Sequence, residues 1–385
     1  MSSIKNLHYR EFRAVAHYNT ILHQIITLIP RHVFDRHAAL HHSGQKFRSY
    51  NRWSQFMAML IGQLSGRKSL RDITDNLKAQ NRRLYHLGMK ETSRATLARV
   101  NRDQPASLYE RIFYSLLKQC RAVAPGHKFS FKNKVYLLDA TVIDLCLALF
   151  PWAEYRKRKG AVKLHMGIGA DGYLPEFMNL TDGKFHEITW AKKMLNLPKG
   201  SFAVFDRGFN DYGWYSRLTT NGIFFVTRLK KNADIECLAR RSGRKSSGIT
   251  NDQQIRLNGV EAPLRLVEYT DPETGREYRF LTSAHHLKAA EIAALYKERW
   301  QIEQFFRWIK QNLRIKTFLG TSKNAVLTQV WIALCVYLMI VFLNFKAKSG
   351  VSMQRILRVL QLNLFSRCNS EDLFKLPDRQ PVDSP

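Results

Sequence analysis

Between residues 5 and 125 apolar positions recur three and four apart, with few strand-like runs, and the spacing predicts a helical region. ITLIPRHVF breaks at Pro30. NRWSQFMAMLIGQLSG, 51–66, predicts a helix closed by Gly66. Ser69 then caps LRDITDNLKAQ, with an acid in the first turn. After a turn at Leu87-Gly88, Ser93 can cap ATLARVNRDQ. Two short helices, a Gly-containing turn and a basic second helix resemble a DNA-reading pair, and a plain helical bundle fits the same pattern. YERIFYSLLKQC, 109–120, is amphipathic, and PGHKFSFKNK, 125–134, reads as a linker.

At 135 the period changes. KVYLLDATVIDLCL predicts a strand, and KGAVKLHMGIGADGYLPEFMNLTDG predicts two more, joined at Asp171-Gly172. HEITWAKKMLNL reads as a helix, SFAVFD as a strand ending at Asp206, YGWYSRLTTNG as a helix and FFVTRLK as a strand. A mixed α/β sheet follows, with its three leading strands antiparallel. Residues 231–285 hold a basic loop, ARRSGRKSSG at 239–248, and three alternating runs, IRLNG, LRLVEYTD and EYRFLTS, which predict a β-rich insertion.

Residues 296–310, YKERWQIEQFFRWIK, return to helical spacing. At about 100° per residue, Leu295, Ile302, Phe305, Phe306, Ile309 and Leu313 share a core-facing arc. Tyr296, Arg299, Glu303 and Lys310 form a narrower stripe along its edge. Glu303 is thereby expected to be half-buried beside a cation and a phenol; surface ion pairs on an ordinary amphipathic helix are the alternative.

Composition narrows the partner. Sixty-one Lys and Arg against 31 acids give a net charge of +30 over 385 residues, spread along the chain. That points to a polyanion gripped over a folded body: DNA, RNA or an anionic membrane. Five scattered cysteines without a CxxC argue against a disulfide scaffold and a structural zinc site. MSSIKNLHYREF has no apolar signal segment, and VWIALCVYLMIVFL, 330–343, reads as a buried core helix rather than a membrane span. The expected compartment is bacterial cytoplasm, at the nucleoid.

Asp139 in VYLLD and Asp206 in FAVFD follow apolar strand residues, a costly placement unless each acid is paired or binds metal. Together with Glu303 they make an oxygen-only donor set that suits Mg²⁺ or Mn²⁺. Two such ions beside a polyanion point to phosphodiester chemistry. Asp144, an odd spacing from Asp139, is expected to face away from it, and Lys163 and His165 to form cross-strand pairs. RKRKG, 156–160, reads equally as a solvated face or a phosphate contact.

These residues resemble an insertion-sequence transposase of the IS4 type, in the DDE superfamily with an RNase H-like core. Tyr296, Arg299, Glu303 and Lys310 fit the Y-(2)-R-(3)-E-(6)-K signature, LLDATVIDL fits the first-aspartate strand, and VFDRGFND fits the second-aspartate block. His186-Glu187 stands where relatives have His-Asp. The resemblance implies Asp139, Asp206 and Glu303 as catalytic metal ligands, and Tyr296, Arg299, Lys310 and Arg207 as DNA contacts. It also implies a homodimer acting on the terminal inverted repeats of double-stranded DNA and on target DNA. With the patterns above, the expected division is a helical region at 1–125 that the resemblance makes DNA-end-binding, core at 126–230 and 286–318, insertion at 231–285, helical C-terminal region at 319–376 and a disordered tail at 377–385. A metal-dependent nuclease of the same fold, and a non-mobile DNA-binding descendant, are the alternatives.

Overall fold

The computed structural model describes residues 19–44, 50–156, 159–241, 248–347, 350–369 and 373–374. The tail at 377–385, the charged positions 157–158 and most of the basic loop at 239–248 therefore lie outside the described residues.

Pro30 divides α1 (Ile21–Ile26) from α2 (Arg31–Leu40), because proline has no N–H to continue the first and its φ of −57° suits the start of the second. α3 (Arg52–Leu64) starts on Asn51 and is buried along its whole length. Gly66 then turns the chain at a φ of +66°. α4 (Leu70–Ala79) begins on Ser69, whose hydroxyl accepts the Asp72 N–H. α5 (Asn81–Leu84) and a 3-10 turn follow, before α6 (Arg94–Asp103) begins on Ser93. α4 and α6 pack together as the helix-pair expectation requires. The intervening α5 makes their connection longer than a helix-turn-helix turn. α7 (Ser107–Val123) leads into the linker.

The sheet begins with β1 (Val135–Leu145), followed by β2 (Glu154–Arg156), β3 (Lys159–Gly169) and β4 (Leu174–Asp182). β1, β3 and β4 form an antiparallel meander, as the pattern predicted. α8 (Glu187–Met194), β5 (Phe202–Val204), α9 (Tyr212–Thr220) and β6 (Phe224–Arg228) complete the core, with β5 parallel to β1 and β6 parallel to β5. The resulting order, β4-β3-β1-β5-β6, is that of an RNase H-like core.

The insertion supplies β7 (Ile235–Arg240), β8 (Ile249–Leu257), β9 (Leu264–Thr270) and β10 (Glu277–Thr282). β10 pairs antiparallel with β6, so the insertion prolongs the core sheet in the order β6-β10-β9-β8-β7. The sequence pattern missed β7, whose residues are half-exposed or exposed, with no buried face.

The helix expected through 296–310 is two helices, α10 (Ala289–Glu298) and α11 (Trp300–Asn312). Tight i→i−3 bonds, Arg299 N–H to Tyr296 O at 3.1 Å and Ile302 N–H to Arg299 O at 3.2 Å, mark the joint. The predicted apolar arc is nevertheless buried at all six positions. α12 (Lys323–Ala347) packs on α3, α6, α7 and α13 (Met353–Asn363). It is long and apolar enough to cross a membrane, and 83% of its most apolar window is buried within the protein. Apolar on every side, it can only be the axis of a helical core. All five cysteines are free.

Candidate active site

β1 is the central strand, and the side chains of Val135 to Leu138 are buried before Asp139. It pairs in parallel with β5, Leu137 opposite Val204. Asp139 and Asp206 each stand two residues further along, so both pairs keep the same offset of 67 residues. Adjacent strands lie roughly 4.8 Å apart, which makes the two carboxylates neighbours. They sit just past the point where the parallel pairing with β5 ends, while β1 runs on to Leu145 against β3 and leaves the β5 side of Asp139 open to the site.

Asp206 also shapes its own loop. Its Oδ1 accepts the Gly208 N–H at 2.7 Å and caps the 3-10 turn Arg207–Phe209. A Cβ on Gly208 would lie 2.4 Å from Glu187 Oε2 and 2.9 Å from Asp206 Oδ1. A side chain there would displace the Glu187 carboxylate and press on that of Asp206, because the two acids crowd the backbone. Glu187, the first residue of α8, thus joins the acidic side of the site, and its Oε1 lies 3.4 Å from Lys163 Nζ on β3.

Asp139 Oδ1 accepts the N–H of Ala140 at 2.8 Å. Burial, the main cause, pushes its carboxyl up to about 7; the Ala140 N–H and Arg299 oppose the rise, and the charges of Asp206 and Glu187 add to it. On the other wall, Arg299 Nη2 donates to Glu303 Oε1 at 2.6 Å while Nη1 lies 3.7 Å from Asp139 Oδ2. Arg299 Nε is buried with no hydrogen-bond partner among the described residues. Its guanidinium carbon stands 5.7 Å from the Tyr296 ring. Glu303 is half-buried beside the cation of Arg299, as the stripe predicted, while the phenol of Tyr296 faces that arginine.

Lys310 reaches β1 itself, donating to Thr141 Oγ1 at 2.6 Å and Val142 O at 2.9 Å. Burial and Lys316 lower its pKa, and Asp144 acts against them. Arg207 is exposed beside Asp206. His165 is fully buried, stacked on Trp190 at 5.0 Å, with Nε2 3.0 Å from Thr181 Oγ1. It is therefore part of the core.

The three expected ligands are brought together, Asp139 beside Asp206 and Arg299 between Asp139 and Glu303. As their side chains stand, however, no three His, Cys, Asp or Glu among the described residues close round an ion. Asp139 and Asp206 face Glu187, while Glu303 is drawn onto Arg299. The donors are carboxylate oxygens alone, and Asp139 is half-buried with one N–H and a distant guanidinium for compensation. Such a set fits a hard divalent cation. Sequence reasoning did not place Glu187 in the site; its position after His186, where the resemblance led one to expect Asp, was the signal available.

Residues 130–339 match the family described as a transposase DDE domain, and residues 17–90 match a domain of unknown function, DUF4372. A protein of Sinorhizobium fredii named as a transposase is 31% identical over 252 residues, covering 63% of this chain and 68% of that one. A protein of Geobacillus stearothermophilus named as a transposase for the insertion sequence element IS5377 is 26% identical over 267 residues, covering 68% and 70%. The piggyBac transposase, solved as a synaptic complex with hairpin DNA, aligns over 91% of this chain and 80% of its own at 12% identity and a TM-score of 0.46. The family match takes in both aspartate strands, the insertion and the helix of Glu303, and on that ground the chain belongs to the DDE-domain transposases, divalent-metal-dependent enzymes that rearrange DNA.

Proposed function

We propose that this transposase serves an IS4-type insertion sequence, binding its terminal inverted repeats, cleaving each end by hydrolysis and joining the freed 3′ ends to target DNA. The observation that carries the reading is the parallel pairing of β1 and β5, which sets Asp139 and Asp206 side by side with Glu303 across the site, tied in through Arg299. Asp139, Asp206 and Glu303 would hold two Mg²⁺ ions, or Mn²⁺ in their place. When bound, these ions supply activation of the attacking oxygen and charge relief at the leaving 3′ oxygen.

In the first reaction water attacks phosphorus, the bond from phosphorus to the 3′ oxygen breaks, and that oxygen leaves as a hydroxyl. In the second, the hydroxyl attacks a target phosphodiester and displaces the target's own 3′ oxygen. Arg299 can grip the scissile phosphate. A phosphate oxygen competes with Glu303 for its guanidinium and offers the buried Nε an acceptor. Tyr296, Lys310 and Arg207 flank the same site and would hold the strand in register for attack. The helical region through residue 125 would recognise the repeats, through the exposed arginines Arg94, Arg99 and Arg102 of α6. Two copies of the chain would work on two ends as a homodimer, in the bacterial cytoplasm at the nucleoid.

The test is incubation of duplex element ends with Mg²⁺, comparing wild type with Glu303→Gln. Nicking at the end by wild type alone is expected, with joined products when target DNA is added. Equal cutting by both proteins, or wild-type cutting that persists in excess EDTA, refutes the reading. Cutting without any joining would favour a simple nuclease.

A further inference from the structure

Outside this site, two adjoining cavities contain no Asp or Glu among their lining residues. The smaller, about 420 Å³, lies at the end of α11 against α13 and takes its charge from Lys310, Arg314, Lys316 and Arg358. The larger, about 840 Å³, lies between α4, α5 and the segment after α13, and holds Arg67, Arg83 and Arg367. Gln361 lines both. The wall between them is the turn at Gly66, whose carbonyl accepts Arg314 Nη2 at 2.6 Å and whose Cα faces Gln361 Nε2, 3.5 Å from where a Cβ would stand. The two cavities therefore adjoin across this turn and together line one basic channel-like track over the surface. It starts at Lys310, which also touches β1 two and three residues beyond Asp139.

The charges differ in how they are used. Arg67 is spent on Asp72 at 3.3 Å, and Arg314 on the Gly66 carbonyl. Arg83, Lys316, Arg358 and Arg367 are exposed and enter no ion pair among the described residues. Exposed cations gathered in a polar channel without a counter-charge repel one another, which a row of phosphates relieves. The lining is polar, with few apolar side chains to enter a lipid, so a membrane surface does not suit it.

We propose that this channel is a second DNA-binding track, in which Arg83, Lys316, Arg358 and Arg367 hold the phosphate backbone of the duplex whose end lies at the carboxylates. The proposal rests on the transposase reading and extends it in one respect. α13 and the segment behind it join α5 and the end of α11 in gripping DNA, so binding is not confined to the helical region before β1.

The test is fluorescence anisotropy with a labelled element-end duplex, without divalent metal, from 50 to 200 mM salt. Wild type is compared with the fourfold variant Arg83→Gln, Lys316→Gln, Arg358→Gln, Arg367→Gln, in which Lys310 is intact. A control variant removes four exposed lysines elsewhere: Lys118→Gln on α7, and Lys132→Gln, Lys134→Gln and Lys199→Gln, just before β1 and β5. Each phosphate contact contributes about 0.9 to the slope of log affinity against log salt, so the channel variant should lose about 3 to 4 from that slope. Its affinity deficit relative to wild type then changes about 100-fold over the salt range, and the control stays close to wild type. Thermal unfolding of both variants near the wild-type temperature shows that folding is intact. A channel variant that keeps the wild-type slope, or a control that loses as much, overturns the track. Tighter binding of an RNA duplex that depends on the same four residues overturns the DNA assignment. Wild-type protein that binds no duplex at all removes the transposase reading itself, a result distinct from both.

Discussion

α11 and α12 follow one another in the chain and solve opposite problems. α12 is apolar on every side and lies among α3, α6, α7 and α13, where nearly every residue from Ala325 to Val341 is buried. α11 buries one arc and leaves Glu303 and Lys310 on its edge, each satisfied by a partner from a neighbouring element or from the joint at Arg299. Around α12 the gain is area removed from water, roughly 25 cal/mol per Å², with no demand on direction. Around α11, Asp139 sits within a strand where burial opposes its charge, an arrangement that stability alone would not select. The helical body supplies the stability that lets the sheet edge hold crowded carboxylates.

Substitutions can separate the two roles. The largest effect is expected from Glu303→Gln, which removes one charge and one ligand with little change of shape. Losing several kcal/mol of transition-state stabilisation should lower end nicking about a thousandfold, with thermal unfolding nearly unchanged. A variant that cuts normally would end the distinction drawn for α11. Next, Leu338→Ala opens a cavity on α12, where Leu338 is fully buried, and should cost about 2–5 kcal/mol of stability. Nicking per folded molecule should hold within about twofold, measured below the unfolding range. A large loss there would couple the body to the chemistry.

Gly208→Ala should come third. The added methyl collides with Glu187 Oε2 and Asp206 Oδ1, and activity should fall about 10- to 100-fold as positioning is lost. Shortening the opposing acid, in the double variant Gly208→Ala, Glu187→Asp, should return part of that loss. Absence of any rescue would show that Glu187 does not set the position of the Asp206 loop. The smallest effect is expected from Lys310→Gln, which keeps the reach to Thr141 and Val142 but drops the charge. Nicking should fall roughly tenfold, about 1.4 kcal/mol, and more steeply as salt is lowered, because screening already weakens the wild-type contact at high salt. A loss independent of salt would make Lys310 a structural tie between α11 and β1.

Much of this was legible in the residues. Pro30, Ser69, Ser93 and Gly66 act locally, through ring geometry, hydroxyl caps and a positive φ, so their effects are the same in any fold that contains them. The periodic arc of α11 and the unbroken apolar run of α12 announced one partly and one wholly buried helix. Asp139, Asp206 and Glu303 stood out as acids in apolar settings. Less visible were β7, whose apolar and charged residues carry no regular alternation, and the joint at Arg299, where i→i−3 bonds interrupt a sequence that reads as one helix. Glu187 escaped because nothing beside it in sequence shows that Gly208 and Lys163 lie opposite.

By itself the sequence determined the periods of its helices and strands, where they start and stop, the excess of positive charge and the chemical kind of each candidate ligand. Each of these depends on residues within a turn or two of one another, or on composition. Only the tertiary structure decided that the offset between β1 and β5 makes Asp139 and Asp206 neighbours. It alone set Arg299 between Asp139 and Glu303, and it alone turned scattered arginines of α5, α13 and the segment behind it into one track. The physical reason is that electrostatic energy and hydrogen bonding depend on distance in space, and strand pairing and helix packing set that distance between residues far apart in the chain.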